Sequence, residues 1–317
     1  MQNNQKIIGI FGAGGFLGRH LMRQITKLGY RVKVGTSNPF LKNYLLPPGN
    51  PGQISLMKTN IFNPNDIKEI LRDCDFVINL VGILYETKRQ KFQSVHVDFP
   101  NLLSRCCDEL GIKKLVHLSA IGASKNSASN YQRSKFKGEQ ILINNFSSTV
   151  ILRPSVCVGE EDSFSNLFSK LSFFPVLPIV SANYKFQPIY CEDVGKAIIK
   201  AIQVKNNGGK IYELGGSKQL SFREFIELIL KIINKKRFVF DMPMPLAKFQ
   251  SHILEMLPMK PILTKDQCLI LQEADNIVSG NFLTIKDLGI KPTDIESVMP
   301  NWLWRYRSGA FREFSKT

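Results

Sequence analysis

The stretch Lys6-Ile7-Ile8-Gly9-Ile10-Phe11-Gly12-Ala13-Gly14-Gly15-Phe16-Leu17-Gly18-Arg19-His20-Leu21 decides how the rest of the chain reads. An apolar run enters a glycine-rich turn. The turn opens a segment with Leu17, Leu21, Ile25 and Leu28 at helical spacing. Strand, turn and helix in that order are what a dinucleotide needs. Gly12 allows a sharp turn, Gly15 lets the backbone approach a pyrophosphate, and Gly18 lets the helix pack close to the strand. The helix N-terminus then faces the negative charge. Gly12, Gly15, Phe16, Leu17, Gly18 and Arg19 are therefore the first expected cofactor contacts. The bland alternative is a glycine-rich strand-to-helix turn that holds no ligand.

Outward from this stretch, strand and helix signals alternate, which predicts an α/β protein with a doubly wound parallel sheet. The pattern predicts strands over 7–11, 31–35, 54–58, 76–81, 115–119 and 149–153, with helices over 15–28, 64–73, 99–110 and 131–144. Phe76-Val77-Ile78-Asn79-Leu80-Val81 is almost continuously apolar, as a strand buried on both faces should be. Either Asn63 or Asn65 is expected to cap the second helix. After Arg153 the alternation weakens, and Ser221 opens a strongly amphipathic helix that starts at Phe222. The expected division is a dinucleotide-binding domain over 1–157, rejoined by 187–216, and a smaller helix-rich domain over 158–186 and 217–317.

Tyr131-Gln132-Arg133-Ser134-Lys135 places a phenol and an ammonium four residues apart, on one helix face. A nearby cation stabilises tyrosinate and draws its pKa toward the range of an acid/base catalyst. Tyr131 and Lys135 are thus the catalytic candidates, with Ser119 at the end of the preceding strand. Lys135 is also placed to hold a nicotinamide ribose. The bland alternative is a surface tyrosine beside a solvated lysine.

The end of the second strand reads Val34-Gly35-Thr36-Ser37-Asn38-Pro39 and carries no carboxylate to bond an adenosine 2′-hydroxyl. Ser37, with charge from Arg19 and Lys42, suits a 2′-phosphate, so NADP(H) is favoured over NAD(H). Asn60 is the candidate for the adenine edge. Leu80, Val81 and Gly82 should pass beside the cofactor, because the crevice lies at the C-terminal ends of the strands.

The 42 Lys and Arg against 26 Asp and Glu give a formal charge of +16, which favours anionic partners. A solvated basic surface explains the same surplus, since the lysines are scattered. Six cysteines show no metal-ligand spacing, so no metal is expected and reduced thiols fit a cytoplasmic or matrix-like compartment. The first strand begins a few residues after Met1, so no signal peptide is expected. No apolar run approaches ~20 residues, so no transmembrane helix is expected either. Trp302, Trp304 and Tyr306 alternate with Arg305 and Arg307, a pattern that suits a lipid headgroup layer or a terminal segment folded back on the core. Residues 245–257 have the spacing of an amphipathic or buried helix.

The glycine spacing Gly12-x-x-Gly15-x-x-Gly18, with Tyr131 and Lys135, resembles the extended and atypical short-chain dehydrogenase/reductase superfamily. That resemblance implies a Rossmann-type fold. It also implies a Ser or Thr working beside Tyr131 and Lys135, for which Ser119 and Ser124 are the candidates. In many extended members the hydroxyl stands one place beyond Ser119, where this chain has Ala120. Further segments include Asn79-Leu80-Val81-Gly82-Ile83-Leu84, Leu152-Arg153-Pro154-Ser155, Phe186-Gln187-Pro188-Ile189-Tyr190 and Pro300-Asn301-Trp302-Leu303-Trp304-Arg305. They resemble the nucleotide-binding accessory-subunit branch of respiratory complex I (NADH:ubiquinone oxidoreductase) and its bacterial homologues. The branch implies tightly held NADPH, complex I partners, peripheral attachment to a membrane complex near the quinone-reducing module at the inner membrane, a role near ubiquinone metabolism, and little or no turnover. The basic balance and the aromatic C-terminal run make anionic lipid contact a further expectation. The competing expectation is an active NAD(P)-dependent reductase, epimerase or dehydratase that uses Tyr131 and Lys135. Nucleic-acid binding rests on charge alone and is not expected.

Overall fold

The structure is a computed structural model and describes residues 6–256 and 261–307. The chain forms two compact units. The first comprises Met1–Pro154, Cys191–Leu214 and Ser279–Ile290. Its strands are β1 (Ile7–Phe11), β2 (Arg31–Thr36), β3 (Ile54–Lys58), β4 (Phe76–Asn79), β5 (Lys114–Leu118) and β6 (Thr149–Pro154). Between them run α1 (Phe16–Lys27), α2 (Pro64–Leu71), α3 (Phe99–Glu109) and α4 (Asn130–Asn145).

The strands of this unit form one parallel sheet in which β1 lies between β2 and β4, the point where the winding reverses. Ligands of such sheets bind outside the strand ends at that reversal. Two further strands extend the β6 edge: β11 (Ile211–Leu214) pairs with β6, and β14 (Leu283–Thr284) pairs with β11. All four residues of β4 are buried, as its apolar run requires. The strand stops at Asn79 rather than Val81, because the Asn79 Oδ1 accepts the Val81 N–H and turns the chain. Phe11 and Phe99 meet edge to face at 5.5 Å in the core beneath the sheet. Asn63, not Asn65, caps α2, and its side chain accepts the Asn65 N–H. The helix α6 (Cys191–Gln203) packs on α1.

The second unit comprises Ser155–Tyr190, Gly215–Val278 and Lys291–Thr317. Its regular elements are short: β7 (Cys157–Val158) pairs with β10 (Ile189–Tyr190), and β9 (Lys185–Phe186) with β12 (Leu220–Ser221). The longest pair, β8 (Val176–Val180) with β13 (Phe238–Met242), is parallel. Helices α5 (Ser163–Leu171) and α7 (Phe222–Ile232) cover a core in which Phe164 packs on Phe168, Phe186, Phe222 and Phe225. Ser221 caps α7 and forms a reciprocal box with Glu224, the arrangement its sequence predicts. The remaining helices are α8 (Met244–Met256), α9 (Lys265–Ile270), α10 (Ile295–Val298) and α11 (Pro300–Leu303).

The division into units differs from expectation. Residues 279–290 were assigned by sequence to the smaller domain, but they carry β14 and add to the sheet of the first unit. Two residues of strand are too few to show a periodic signal, so only the pairing reveals them. In the second unit the aromatic C-terminal run folds back on its own core. Trp302 is buried, stacks on Tyr190 at 6.2 Å and approaches the Ser165 Oγ, while the Tyr306 hydroxyl donates to the Asn166 Oδ1.

Candidate nucleotide site

The first β–α junction has the backbone a pyrophosphate requires. Gly12 adopts φ +87°, in the left-handed region, and a Cβ there would lie 2.8 Å from the Leu80 carbonyl carbon. A Cβ on Gly18 would lie 2.4 Å from the Ala13 carbonyl oxygen, so only glycine lets α1 pack this close to the turn. Gly15 is exposed and has ordinary room, its nearest neighbour to a Cβ being the Gly12 oxygen at 3.4 Å. It is also the N-cap of α1, and it offers no side chain to the helix. By contrast, α2, α4 and α5 are capped by Asn63, Ser129 and Asp162. The first turn of α1 contains no acidic residue, so its N–H groups and dipole face outward without a competing anion. Beside this turn, at the end of β4, the buried Asn79 Nδ2 has no hydrogen-bond partner. Main chain left bare by glycine, an uncapped helix start and an unused donor fit a dinucleotide at the reversal point of the sheet. Phe16, Leu17 and Arg19 stand half-buried in that first turn, and Leu80 and Val81 half-buried and Gly82 exposed across from Gly12.

A cationic corner adjoins the turn. The Tyr44 hydroxyl donates to the Gly14 carbonyl at 3.0 Å, and the Lys42 ammonium lies 3.1 Å from that hydroxyl. The Arg19 guanidinium sits 5.9 Å and the Lys42 ammonium 5.5 Å from the Tyr44 ring centre. Arg19 and Lys42 are thus brought to one place, as the sequence reading expected, on a tyrosine that it did not single out. Ser37 is exposed at the end of β2. The Asn60 Oδ1 accepts the Phe62 N–H, so that residue shapes its own turn as well as standing at the end of β3.

Tyr131 and Lys135 share a face of α4, and their surroundings differ. Lys135 is buried, its ammonium donates to the Leu118 carbonyl at 3.2 Å, and a Cβ on Gly82 would lie 3.0 Å from it. Burial lowers its pKa to about 8, against a smaller raising effect of Glu139. Tyr131 is half-buried against the rings of Phe92 and His96, at 5.9 and 5.6 Å. His96 is a residue the sequence reading missed. It lies on a π-helical turn, Ser94–Asp98, that leads into α3. Its Nε2 accepts the Ile83 N–H at 3.0 Å, so the proton belongs on Nδ1, which donates to the Ser134 Oγ at 2.9 Å. Ser134 in turn donates to the Tyr131 carbonyl at 2.7 Å. Burial, with the nearby charges of Lys135 and His117, lowers the His96 pKa to about 2, so the ring is neutral at all working pH. This relay fixes the loop 80–83 against the start of α4.

Ser119 is buried just after β5, and its Oγ makes no hydrogen bond among the described residues. Glu139 lies one helical turn beyond Lys135 on α4. Glu139 and Arg153 form a buried bidentate pair at 2.9 and 2.5 Å. Burial raises the carboxyl pKa, and Arg153, Ser119 and Lys135 oppose that shift. The i, i+4 spacing of Lys135 and Glu139 was readable in the sequence, but the arginine that completes the group is on another element. Ser124 accepts the Asn126 N–H and is half-buried.

No metal was expected. Among the described residues, His20, Cys191 and Glu192 each bring one ligand-type atom within 4.8 Å of the others, with the His20 Nδ1 and a Glu192 oxygen 2.5 Å apart. Also among the described residues, no helix is long and apolar enough to cross a membrane.

A family model described as the NAD dependent epimerase/dehydratase family matches residues 8–215. Along nearly the whole chain, the "NADH-ubiquinone oxidoreductase 40 kDa subunit, mitochondrial" of Neurospora crassa is 29% identical over 95% of this chain and 80% of that protein. The "NADH dehydrogenase (ubiquinone) 1 alpha subcomplex subunit 9, mitochondrial" of Arabidopsis thaliana is 32% identical over 95% of this chain and 78% of its own length. Among solved structures, UDP-glucuronic acid 4-epimerase from Bacillus cereus, in complex with UDP-glucuronic acid and NAD, shares the fold with a TM-score of 0.69. The identity is 18%, over 94% of this chain and 99% of that one. The glycine turn, the reversal point beside β4 and the Tyr131–Lys135 face all fall within the matched residues, and the chain belongs to the NAD dependent epimerase/dehydratase family, with complex I subunits as relatives over nearly its full length.

Proposed function

We propose that this protein binds a pyridine nucleotide, NADP(H) in preference to NAD(H), as an accessory or assembly factor of respiratory complex I or of quinone metabolism, and turns it over little or not at all. The observation that carries the reading is the first β–α junction, where Gly12 at positive φ, the close-packed Gly18 and the uncapped start of α1 leave bare backbone for a diphosphate. Low turnover is supported by Ala120, which stands in the place where a substrate-orienting hydroxyl would follow Ser119. The Arg19–Lys42–Tyr44 corner supports the 2′-phosphate, because no carboxylate closes β2. The complex I relatives support the partner, and an inner-membrane periphery follows from it. Lys135 would hold the nicotinamide ribose, and the bound nucleotide would supply a fixed fold and interface rather than a hydride.

A second reading has its own support. An ammonium with a pKa near 8 beside Tyr131 suits acid/base work. A "Ceramide reductase" of Caulobacter vibrioides is 25% identical over 61% of this chain. Purification under mild detergent, with mass spectrometry of bound nucleotide and partners, separates the two. The accessory role expects NADP(H) and complex I subunits to co-purify, and NADPH to survive a carbonyl panel that includes a long-chain keto lipid. NADPH oxidation that Tyr131→Phe abolishes, with nucleotide still bound, overturns the accessory role in favour of an enzyme.

A further inference from the structure

The second unit contains a cavity of about 700 Å³ that shares no residue with the nucleotide turn. It lies between the inner face of β8, where Leu177 and Ile179 point inward, the helix α5 and residues of α8 and α9. Among the described residues that line it, none is charged. The polar ones are Tyr184, Gln250, Gln267 and Asn276. Two of these are engaged by the chain itself: the Gln267 Oε1 accepts the Thr264 N–H at 2.9 Å, and the Asn276 Oδ1 accepts the Ser155 hydroxyl at 2.6 Å. A sugar, a nucleotide or a peptide backbone would lose its water there and gain few hydrogen bonds. Water itself is poorly held in an apolar space, and an unfilled one destabilises the fold. Volume and lining are those of a small-molecule site for a hydrocarbon.

The wall of this cavity is tied to a basic groove. Leu171, Phe174 and Val176 line the cavity, and Ser172 lies between them in the chain. The Arg237 Nε donates to the Ser172 carbonyl at 2.7 Å, and the Lys235 ammonium to its hydroxyl at 3.2 Å. The groove that follows is lined by Arg223, Lys231, Lys235, Lys236 and Arg237, with Glu227 the one carboxylate among its described lining residues. On the partner strand Phe238 and Phe240 are exposed, and they pair in register with Val176 and Pro178, which themselves border the cavity. We infer that the second unit binds an anionic lipid, with one hydrocarbon chain in the apolar cavity and its anionic head at the Lys231–Lys236–Arg237 groove. The two halves are held together by the 171–176 segment, which contributes the wall of one and the anchor of the other.

The test uses the purified full chain with the fluorescent fatty acid cis-parinaric acid, displaced by saturated fatty acids from octanoate to palmitate. Displacement is expected to strengthen by roughly fourfold for each added methylene until the cavity is filled, then to level off. Ile270→Trp, which fills the cavity, should weaken palmitate by about tenfold or more. The exposed pair Lys231→Glu/Lys236→Glu should weaken palmitate by about tenfold while leaving hexadecanol unchanged. Palmitoyl lysophosphatidic acid against palmitate then separates a phosphate head from a carboxylate. Absence of probe binding, an affinity that ignores chain length, or both variants binding as the parent does would overturn the inference. Should Ile270→Trp fail to fold, the chain-length series and the surface pair decide alone. None of these readouts involves nucleotide, so they stand apart from the proposed function.

Discussion

At the residue scale, Lys135 concentrates the physics of the site. A cation inside a fold is costly, and this one is held charged near neutrality by one carbonyl and the field of Glu139. Its pKa falls from 10.5 in the unfolded chain to about 8 in the fold, so between those values the unfolded state binds more protons. Stability from this group therefore rises as pH climbs from 8 toward 10.5, by about 3 kcal/mol in all. Unfolding in urea at several alkaline pH values, for the parent and for Lys135→Met, should show the difference between the two curves growing in that window. A difference that stays flat would mean that the ammonium is solvated. The places of Tyr131, Lys135 and the three glycines were legible because they follow from spacing along a helix or around a turn. His96 and Arg153 were not, because nothing local marks them. Each acquires its role from a partner on another element, the Ile83 N–H in one case and Glu139 in the other.

At the scale of elements, the start of α1 matters most. The helices α2, α4, α5, α7, α9 and α10 satisfy their first turns with a serine, threonine, asparagine or aspartate, whereas α1 begins at a glycine with no cap. An aspartate at an N-cap normally stabilises a helix. Gly15 has a φ that any residue adopts and space for a Cβ, so Gly15→Asp should fold as well as the parent or slightly better. The same carboxylate would occupy the N–H groups meant for a phosphate and repel it. Nucleotide binding should fall at least about tenfold, which titration calorimetry would read, with no loss of thermal stability. A variant that binds as before would show that α1 is not the phosphate site. Gly18→Ala makes the contrast, since its Cβ meets backbone at 2.4 Å and the fold itself should suffer. Sequence periodicity located α1, α2, α3 and α4 to within a residue or two at most ends. It missed β14 and overran β4, where pairing and a side-chain turn set the limit.

At the scale of the whole molecule, binding and folding are linked. A ligand held only by the native state raises stability by about 2.7 kcal/mol at a hundredfold excess over Kd. NADPH should therefore raise the melting temperature by several degrees, and by more than NADH at equal concentration. Calorimetry with both nucleotides checks this, and an equal shift would remove the argument from Arg19 and Lys42. With Arg19→Ala the gap between NADPH and NADH should narrow while NADH binding persists. The formal charge of +16 sets the background against which such anions act, and raising salt should weaken both nucleotides.

The chain's sequence by itself determined the doubly wound sheet, the glycine turn and the Tyr131–Lys135 face. Each is written in short-range periodicity and in residues whose backbone or spacing admits few alternatives. Tertiary structure alone decided that Arg153 pairs with the buried Glu139, that residues 279–290 return to the sheet, and that a cavity whose described lining is uncharged lies behind β8. Those features depend on which side chains meet across elements far apart in the chain, and local pattern carries no record of such meetings.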